Sequence, residues 1–352
     1  MDTMTLEQLE AHVRSGRPVS RVSLGGLDGS GCNLAGAVLE HVDLDACRFG
    51  RADLRQAVFA SCTFVGAALQ DARLEEARFH ECSLDETILK RARLANASFS
   101  CCSINRADFR EADLTDTVFS KGEVQDCTFS GATIDFTTFV DLHLVRPDFS
   151  ATRLHRPVLL KVDLTGADLT GASFYLAVLH EACLADMDLA GLDFQLSQFM
   201  NADLSGARLT GANLTQCNFQ GADLSGADLS DAIAPNALFI EADLSGANLY
   251  GVNLYQAILN SAIAEKTIFT GANAYQSLWQ HAQCRGARMG GMDLTYADFS
   301  HADLSGTDLN GASMFRAQLH AVQDQQAHIS DRASALGTDA DRLRAESWIG
   351  DR

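Results

Sequence analysis

Residues 202–231 read ADLSG ARLTG ANLTQ CNFQG ADLSG ADLSD. In each group of five the third residue is large and apolar, and the residue two places before it is small. The large register extends outward in both directions, from Leu34, Leu39, Leu44 and Phe49 to Leu309, Met314 and Leu319, across 58 positions with no insertion or deletion. Seventeen of the 19 Phe residues fall on it, and only Phe136 and Phe315 do not. The small register holds residues such as Ala37, Ala52 and Ala72, together with seven of the ten Cys: Cys32, Cys47, Cys62, Cys82, Cys102, Cys127 and Cys217. Two inward positions per five residues fit neither a helix of period 3.6 nor a strand of period 2. The chain must therefore turn every five residues, burying one large and one small side chain each time.

Composition is consistent with this. The 352 residues are 47% hydrophobic and only 7% aromatic, enough apolar material for a long core. A repeat array overrides the usual estimate of domain number from length. The formal charge of −19 disfavours direct binding of DNA or RNA. There is no apolar run of ~18 residues to span a membrane, and Met1–Arg21 lacks the basic and apolar segments of a secretory signal. The expected compartment is the cytoplasm.

Runs such as Ala202-Asp203-Leu204-Ser205-Gly206 and Ala222-Asp223-Leu224-Ser225-Gly226 resemble the A(D/N)LXX signature of the pentapeptide-repeat family. The resemblance covers residues 24–319. It implies an all-β fold, a right-handed quadrilateral parallel β-helix with one pentapeptide per side and four per coil, and no general enzymatic activity. Fifty-eight pentapeptides make 14–15 coils, a rod of roughly 70 Å at ~4.8 Å per coil. Residues twenty apart then stack in columns. The expected organisation is an N-terminal helical cap over 1–23, the solenoid over 24–319 and a C-terminal tail with a short helix over 320–352. Thr5-Leu6-Glu7-Gln8 reads as a capping box, and Thr338-Asp339-Ala340-Asp341 as the start of a second helix. Gly occupies the second place after the large residue 17 times within 34–319, 14 of them at Gly166 or later, which predicts more type II turns in the second half.

No catalytic or cofactor motif emerges. The glycines follow the five-residue register rather than a strand–loop–helix pattern, and HExxH, GxSxG and Cys-x-x-Cys are all missing. No cofactor is expected. Cys62, Cys82 and Cys102 share a column and read as buried free thiols. His281 and His301 also share a column, but two imidazoles without a third ligand do not make a metal site, and none is expected.

Label the four sides by their large residues: a (Leu164, Leu204), b (Leu169, Leu209), c (Phe174, Leu214) and d (Leu179, Phe219). Just before the large residue, side a carries Asp163, Asp203, Asp223, Asp243 and Asp303, and side b carries Asp148, Asp168, Asp188, Asp228 and Asp308. Side d has Asp298 alone, and instead Val38, Val58, Val118, Val158, Val178, Leu238, Ile258 and Leu278. Just after it, side d has Leu160, Met200 and Ile240, and side c has Tyr175, Tyr255, Tyr275 and Phe315, with Leu176 and Leu196 one place further on. An apolar face of this kind is the mark of an interface. Leu160, Tyr175, Leu176, Leu196, Met200, Ile240, Tyr255 and Tyr275 are therefore the candidate partner surface. Residues 162–265 hold 13 acidic side chains against one basic, Arg208. Within that stretch and just before it, Asp148, Asp168, Asp188, Asp203, Asp223 and Asp243 form stacked acidic columns in which like charges should repel and raise the central carboxyl pKa values.

Two functions follow. The first is a non-catalytic protein scaffold or adaptor. Its two ends resemble the branch of the family associated with bacterial type VI secretion, in which a short helix precedes the coils and a tail ends in an acidic-Trp motif, here Ala345-Glu346-Ser347-Trp348. That resemblance implies a secretion-system component or an effector as partner. A terminal segment could also serve a homodimer. The alternative is DNA mimicry: some family members resemble B-DNA in width and charge and bind DNA gyrase or topoisomerase IV, conferring quinolone resistance. The acidic columns would be the mimic surface.

Overall fold

The computed structural model describes residues 2–348 and divides into two compact units, Met1–Cys183 and Leu184–Arg352. Each is a parallel β-solenoid, and they wind about 16 turns in all. The count exceeds 14–15 because pairing continues past both ends of the uninterrupted register. Val19 pairs with Leu39 at one end, and His328–Ile329 pairs with Asp308–Leu309 at the other. Pairing is twenty residues apart within each unit, Phe59 with Phe79 in the first, and Asp203 with Asp223 and Asp223 with Asp243 in the second.

The pentapeptide of Leu224 shows why this sequence adopts this coil. Ala222 N donates to Phe219 O within the turn, at 3.0 Å. Asp223 N reaches back to Ala202 O at 2.9 Å, while Leu224 N and Gly226 N reach forward to Asp243 O and Ser245 O at 2.7 and 2.9 Å. Four of the five N–H groups thus find backbone acceptors. The fifth, Ser225 N, donates to Oδ1 of Asp223 at 2.9 Å. Aspartate or asparagine before the large residue therefore completes the accounting of backbone donors.

Side d of the first unit meets the same requirement differently. Its pentapeptides form three-residue strands, including Val58–Ala60, Arg78–His80, Ser98–Ser100, Val118–Ser120 and Thr138–Val140, within one eight-stranded parallel sheet. The residue after the large one is drawn into the ladder, as Ala60 is between Glu40 and His80. No side-chain acceptor is needed there, and the column carries β-branched residues, which favour strands. Of the apolar residues before the large one on side d, Val58, Val158, Val178, Leu238, Ile258 and Leu278 are half-buried, while Val38 and Val118 are exposed.

The inward residues interlock. Phe59, Phe79, Phe99, Phe119 and Phe139 form an internal ladder with ring centroids 4.7–5.0 Å apart and planes within 18° of parallel. At the small register, hydroxyls and thiols donate to a carbonyl 23 residues earlier: Thr117 to Leu94 at 2.9 Å, Thr267 to Leu244 at 2.7 Å and Cys217 to Phe194 at 2.9 Å. All ten Cys are free thiols, and burial pushes Cys217 up to about 12, far from the reactive thiolate range.

Hydrogen-bonded turns are commoner in the second half, where Ala202 N and Ala222 N close onto Phe199 O and Phe219 O on side d while the first unit has three-residue strands there, but positive φ is not confined to the glycine-rich half. Every fifth residue from Arg21 to Gln326 has positive φ, whether it is Gly226 at 66° or Phe136 at 54°. A corner every five residues requires that conformation everywhere, and glycine only lowers its steric penalty. In the first unit Arg51, Asp71, Arg91 and Glu111 follow one another at intervals of twenty, a column of alternating charge, yet they do not pair as a simple ladder. Arg91 grips Asp71 with two bonds of 2.8 and 3.1 Å, but Glu111 pairs with Lys90 in the neighbouring column at 3.0 Å.

Two helices complete the described residues. The first, α1 (Leu6–Arg14), has the predicted capping box: Gln8 N donates to Thr5 Oγ1, and Thr5 N to Gln8 Oε1. Its Leu9 is fully buried, covering apolar residues that an open solenoid end would expose. The second, α2 (Ala340–Ser347), is N-capped by Asp339, whose carboxylate accepts from Asp341 N and Arg342 N. No helix among the described residues is long and apolar enough to cross a membrane.

Candidate functional site

The acidic columns are shaped by turn capping. Asp168, Asp188 and Asp223 are exposed, while Asp148, Asp203 and Asp243 are half-buried. In chain order Asp148, Asp168, Asp188, Asp203, Asp223 and Asp243 accept the N–H two residues on, from Ser150, Thr170, Ala190, Ser205, Ser225 and Ser245, at 2.8–3.2 Å. In the second unit Arg208 also pairs with Asp188, as its column position anticipated. That guanidinium, then the Ala190 N–H, hold the Asp188 carboxyl below its ordinary range. Burial pushes the Asp148 and Asp228 carboxyls up, but hydrogen bonds, first from Ser150 and from Ser230, outweigh it and leave both lowered. The expected repulsion between stacked aspartates is thus opposed by donors built into each turn.

The apolar candidates fall in both units. Leu160 is half-buried on side d of the first unit; Met200 and Ile240 are half-buried on side d of the second. Leu196 is half-buried at a corner. In the first unit, Tyr175 and Leu176 are exposed, and Tyr175 stacks on His155 at 5.5 Å. Nearby in that unit Arg156 lies 4.0 Å over the ring of Phe136, which is 45% exposed.

Side c of the second unit carries the longest aromatic surface. Tyr255 and Tyr275 stack at 5.7 Å with rings 3° from parallel. Tyr296 meets Tyr275 edge-on at 5.7 Å, and Phe315 meets Tyr296 edge-on at 5.8 Å. Tyr255, Tyr296 and Phe315 are 38%, 41% and 52% exposed, and Tyr275 is half-buried between its neighbours. Asn253 and Asn273 fix the column from behind: their Oδ1 atoms accept the N–H groups of Tyr255 and Tyr275, at 3.1 and 3.2 Å. Sequence reading had missed Tyr296. It stands one place beyond the tyrosine column, at the corner position of Leu176 and Leu196, where the same apolar bias could have revealed it.

The other unforeseen cluster lies at the C-terminal end of the second unit. His281 and His301 stack at 4.9 Å, as their column predicts. His320 joins them edge-on to His301 at 5.4 Å, and Glu346 arrives from α2. The carboxylate Oε2 of Glu346 lies 3.1 Å from His320 Nε2 and 3.2 Å from His301 Nε2, while its Oε1 accepts from Arg342 Nε at 2.8 Å. Bonding from His320, then from Arg342, holds this carboxyl at about 2. His320 lies nineteen residues past His301, off the twenty-residue column, and Glu346 lies outside the repeat. Neither could be placed by counting.

A four-sided parallel solenoid with five residues per side, and with its exposed chemistry confined to surface columns, defines a repeat protein of the pentapeptide class. The family model for pentapeptide repeats matches residues 20–56, 158–195, 197–233, 236–273 and 280–320, and the model for a pentapeptide repeat region matches 52–129. The chain belongs to the pentapeptide-repeat family. Among solved structures it is similar to the pentapeptide repeat protein Rfr23 from the cyanobacterium Cyanothece 51142, at 25% identity over 28% of this chain and 62% of that one, with a TM-score of 0.21. It is similar to HetL, a pentapeptide repeat protein involved in heterocyst differentiation regulation in the cyanobacterium Nostoc sp. strain PCC 7120, at 19% identity over 89% and 96% of the two chains, TM-score 0.15. It is also similar to full-length QnrB1, a plasmid-mediated fluoroquinolone resistance protein, at 17% identity over 76% and 97%, TM-score 0.22. No curated protein matches.

Proposed function

We propose that this chain is a non-catalytic, cytoplasmic scaffold that docks another protein on side c of its second unit. The observation that carries the reading is the exposed aromatic strip of Tyr255, Tyr275, Tyr296 and Phe315, in which Asn253 and Asn273 cap the N–H groups of Tyr255 and Tyr275. Large aromatic side chains with few rotors supply contact area at low entropic cost and dominate interface energetics. Tyr175 and Leu176 in the first unit, and the half-buried Leu160, Leu196, Met200 and Ile240, are secondary contacts in this reading. The partner class is a component or effector of a type VI secretion system, a reading supported by α2 and its terminal Trp348, which is 79% exposed.

The competing reading is a gyrase-binding DNA mimic using Asp148, Asp168, Asp188, Asp203, Asp223 and Asp243. Their turn-capping bonds give these residues a structural reason to be there without mimicry, which favours the scaffold. Affinity capture from the native cytoplasm, with mass spectrometry, tests both. The scaffold requires that Tyr255→Ala with Tyr275→Ala release the captured protein while Asp203→Asn, Asp223→Asn and Asp243→Asn together retain it. Capture of gyrase subunits, lost in the Asn variant and kept in the Tyr variant, would reverse the choice.

A further inference from the structure

We propose that His301, His320 and Glu346 form a zinc site that clamps α2 onto the last turns of the second unit. Among the described residues this is the one group of three His, Cys, Asp or Glu side chains whose donor atoms all lie within 4.8 Å of one another. The donor set, two imidazole nitrogens and one carboxylate oxygen, suits zinc, and a fourth position remains for water. Zinc–ligand bonds of about 2.0–2.1 Å in a tetrahedron place neighbouring donors about 3.3 Å apart. The two edges shared by Glu346 Oε2 measure 3.1 and 3.2 Å.

The surroundings orient each ligand. Arg342 holds the other carboxylate oxygen of Glu346, leaving Oε2 toward the imidazoles. The His281 ring stacks on His301 and fixes its plane. His320 is almost fully buried and is held at both nitrogens: its Nδ1 accepts the Asp339 N–H at 3.1 Å, so the free chain carries the proton on Nε2, facing Glu346. Zinc takes that Nε2 position as a ligand of neutral imidazole, so the ring proton moves to Nδ1 and the Asp339 N–H bond is exchanged. Binding therefore remodels the first turn of α2, and the metal replaces a hydrogen-bonded latch with a coordinated one.

The test uses the full chain after chelation, titrated with zinc chloride by calorimetry and with cobalt(II) chloride by visible absorption. The expected result is one zinc per chain and the d–d absorption of a four-coordinate cobalt ion. His301→Ala and Glu346→Gln, both at partly exposed positions, should each weaken zinc binding at least about tenfold. His281→Ala should weaken it less than either ligand variant, since its ring stacks on His301 and does not ligate. Amide exchange at Asp339–Arg342 should change on adding zinc to the parent chain and not to Glu346→Gln. Absence of zinc uptake, or uptake unaltered by both ligand variants, would overturn the site; the second result would assign the metal to surface pairs such as His155 with Asp135.

Discussion

Replacing Phe99 by Ala tests the internal architecture at its most repetitive point. The Phe99 ring is fully buried between Phe79, 4.7 Å away with planes 6° apart, and Phe119, 4.8 Å away with planes 5° apart; Phe109 meets it edge-on at 6.3 Å. Truncating a buried Phe costs about 3–5 kcal/mol, from lost transfer energy and the cavity left behind. Each aromatic pair contributes about 0.5–1.5 kcal/mol beyond burial, and here two stacked pairs are lost together. The coil cannot collapse into the gap, because the backbone spacing is fixed by the hydrogen bonds between turns. We therefore expect the upper half of the range, about 4–5 kcal/mol. In a solenoid each repeat touches mainly its neighbours, so the loss should be local as well as global. Urea unfolding monitored by circular dichroism reads the total, with Phe99→Leu as a control expected to cost less than about 1.5 kcal/mol. Native-state hydrogen exchange reads the location. Amides of Arg78–His80 and Val118–Ser120 should lose protection by roughly a thousandfold where they open sub-globally, while amides of Leu244–Leu254 should be unchanged. A total cost below about 1 kcal/mol, or a loss of protection spread evenly over both units, would refute the ladder as a source of stability.

Gly122→Ala should destabilise by about 1–3 kcal/mol in the same urea assay, because an added Cβ would lie 2.3 Å from the Cys102 carbonyl oxygen. Asp223→Ala should cost about 1 kcal/mol through loss of the Ser225 cap, whereas Asp223→Asn should be near neutral, since Asn213 caps Thr215 N in the same way; equal costs for the two would remove the capping argument. Asp148, Asp228 and Asp303 have folded pKa values lowered from the ordinary 3.8. A depressed folded pKa means that the unfolded chain binds more protons, so this stability is present above about pH 4 and is lost as pH falls through the folded values; urea midpoints that rise on acidification from pH 5 to 3 would contradict it. The exposed Arg91–Asp71 pair should contribute only about 0–1 kcal/mol and weaken with salt, as a double-mutant cycle at two ionic strengths can show.

The linear sequence determined the coil. An unbroken period of five with a large and a small inward residue admits one geometry, and the twenty-residue stacking of Phe99 on Phe119 or Tyr255 on Tyr275 follows by counting. Counting also placed His281 on His301 and Arg208 near Asp188. It could not tell why aspartate crowds sides a and b. That became clear only when the backbone donors were traced: the fifth N–H of each pentapeptide lacks a backbone partner unless the segment flattens into a strand, as it does on side d of the first unit. Nor could it fix side-chain choice within a column, where Glu111 had Arg91 directly beneath it and turned to Lys90 instead. The candidate site divides along the same line. Tyr255 and Tyr275 were legible because they obey the repeat. Tyr296, one place off its column, and the meeting of His301, His320 and Glu346 were not, because periodicity specifies neighbours only inside the repeat. Where the coil ends, the placement of α2 is decided by three-dimensional packing and by the hydrogen bonds that hold Glu346.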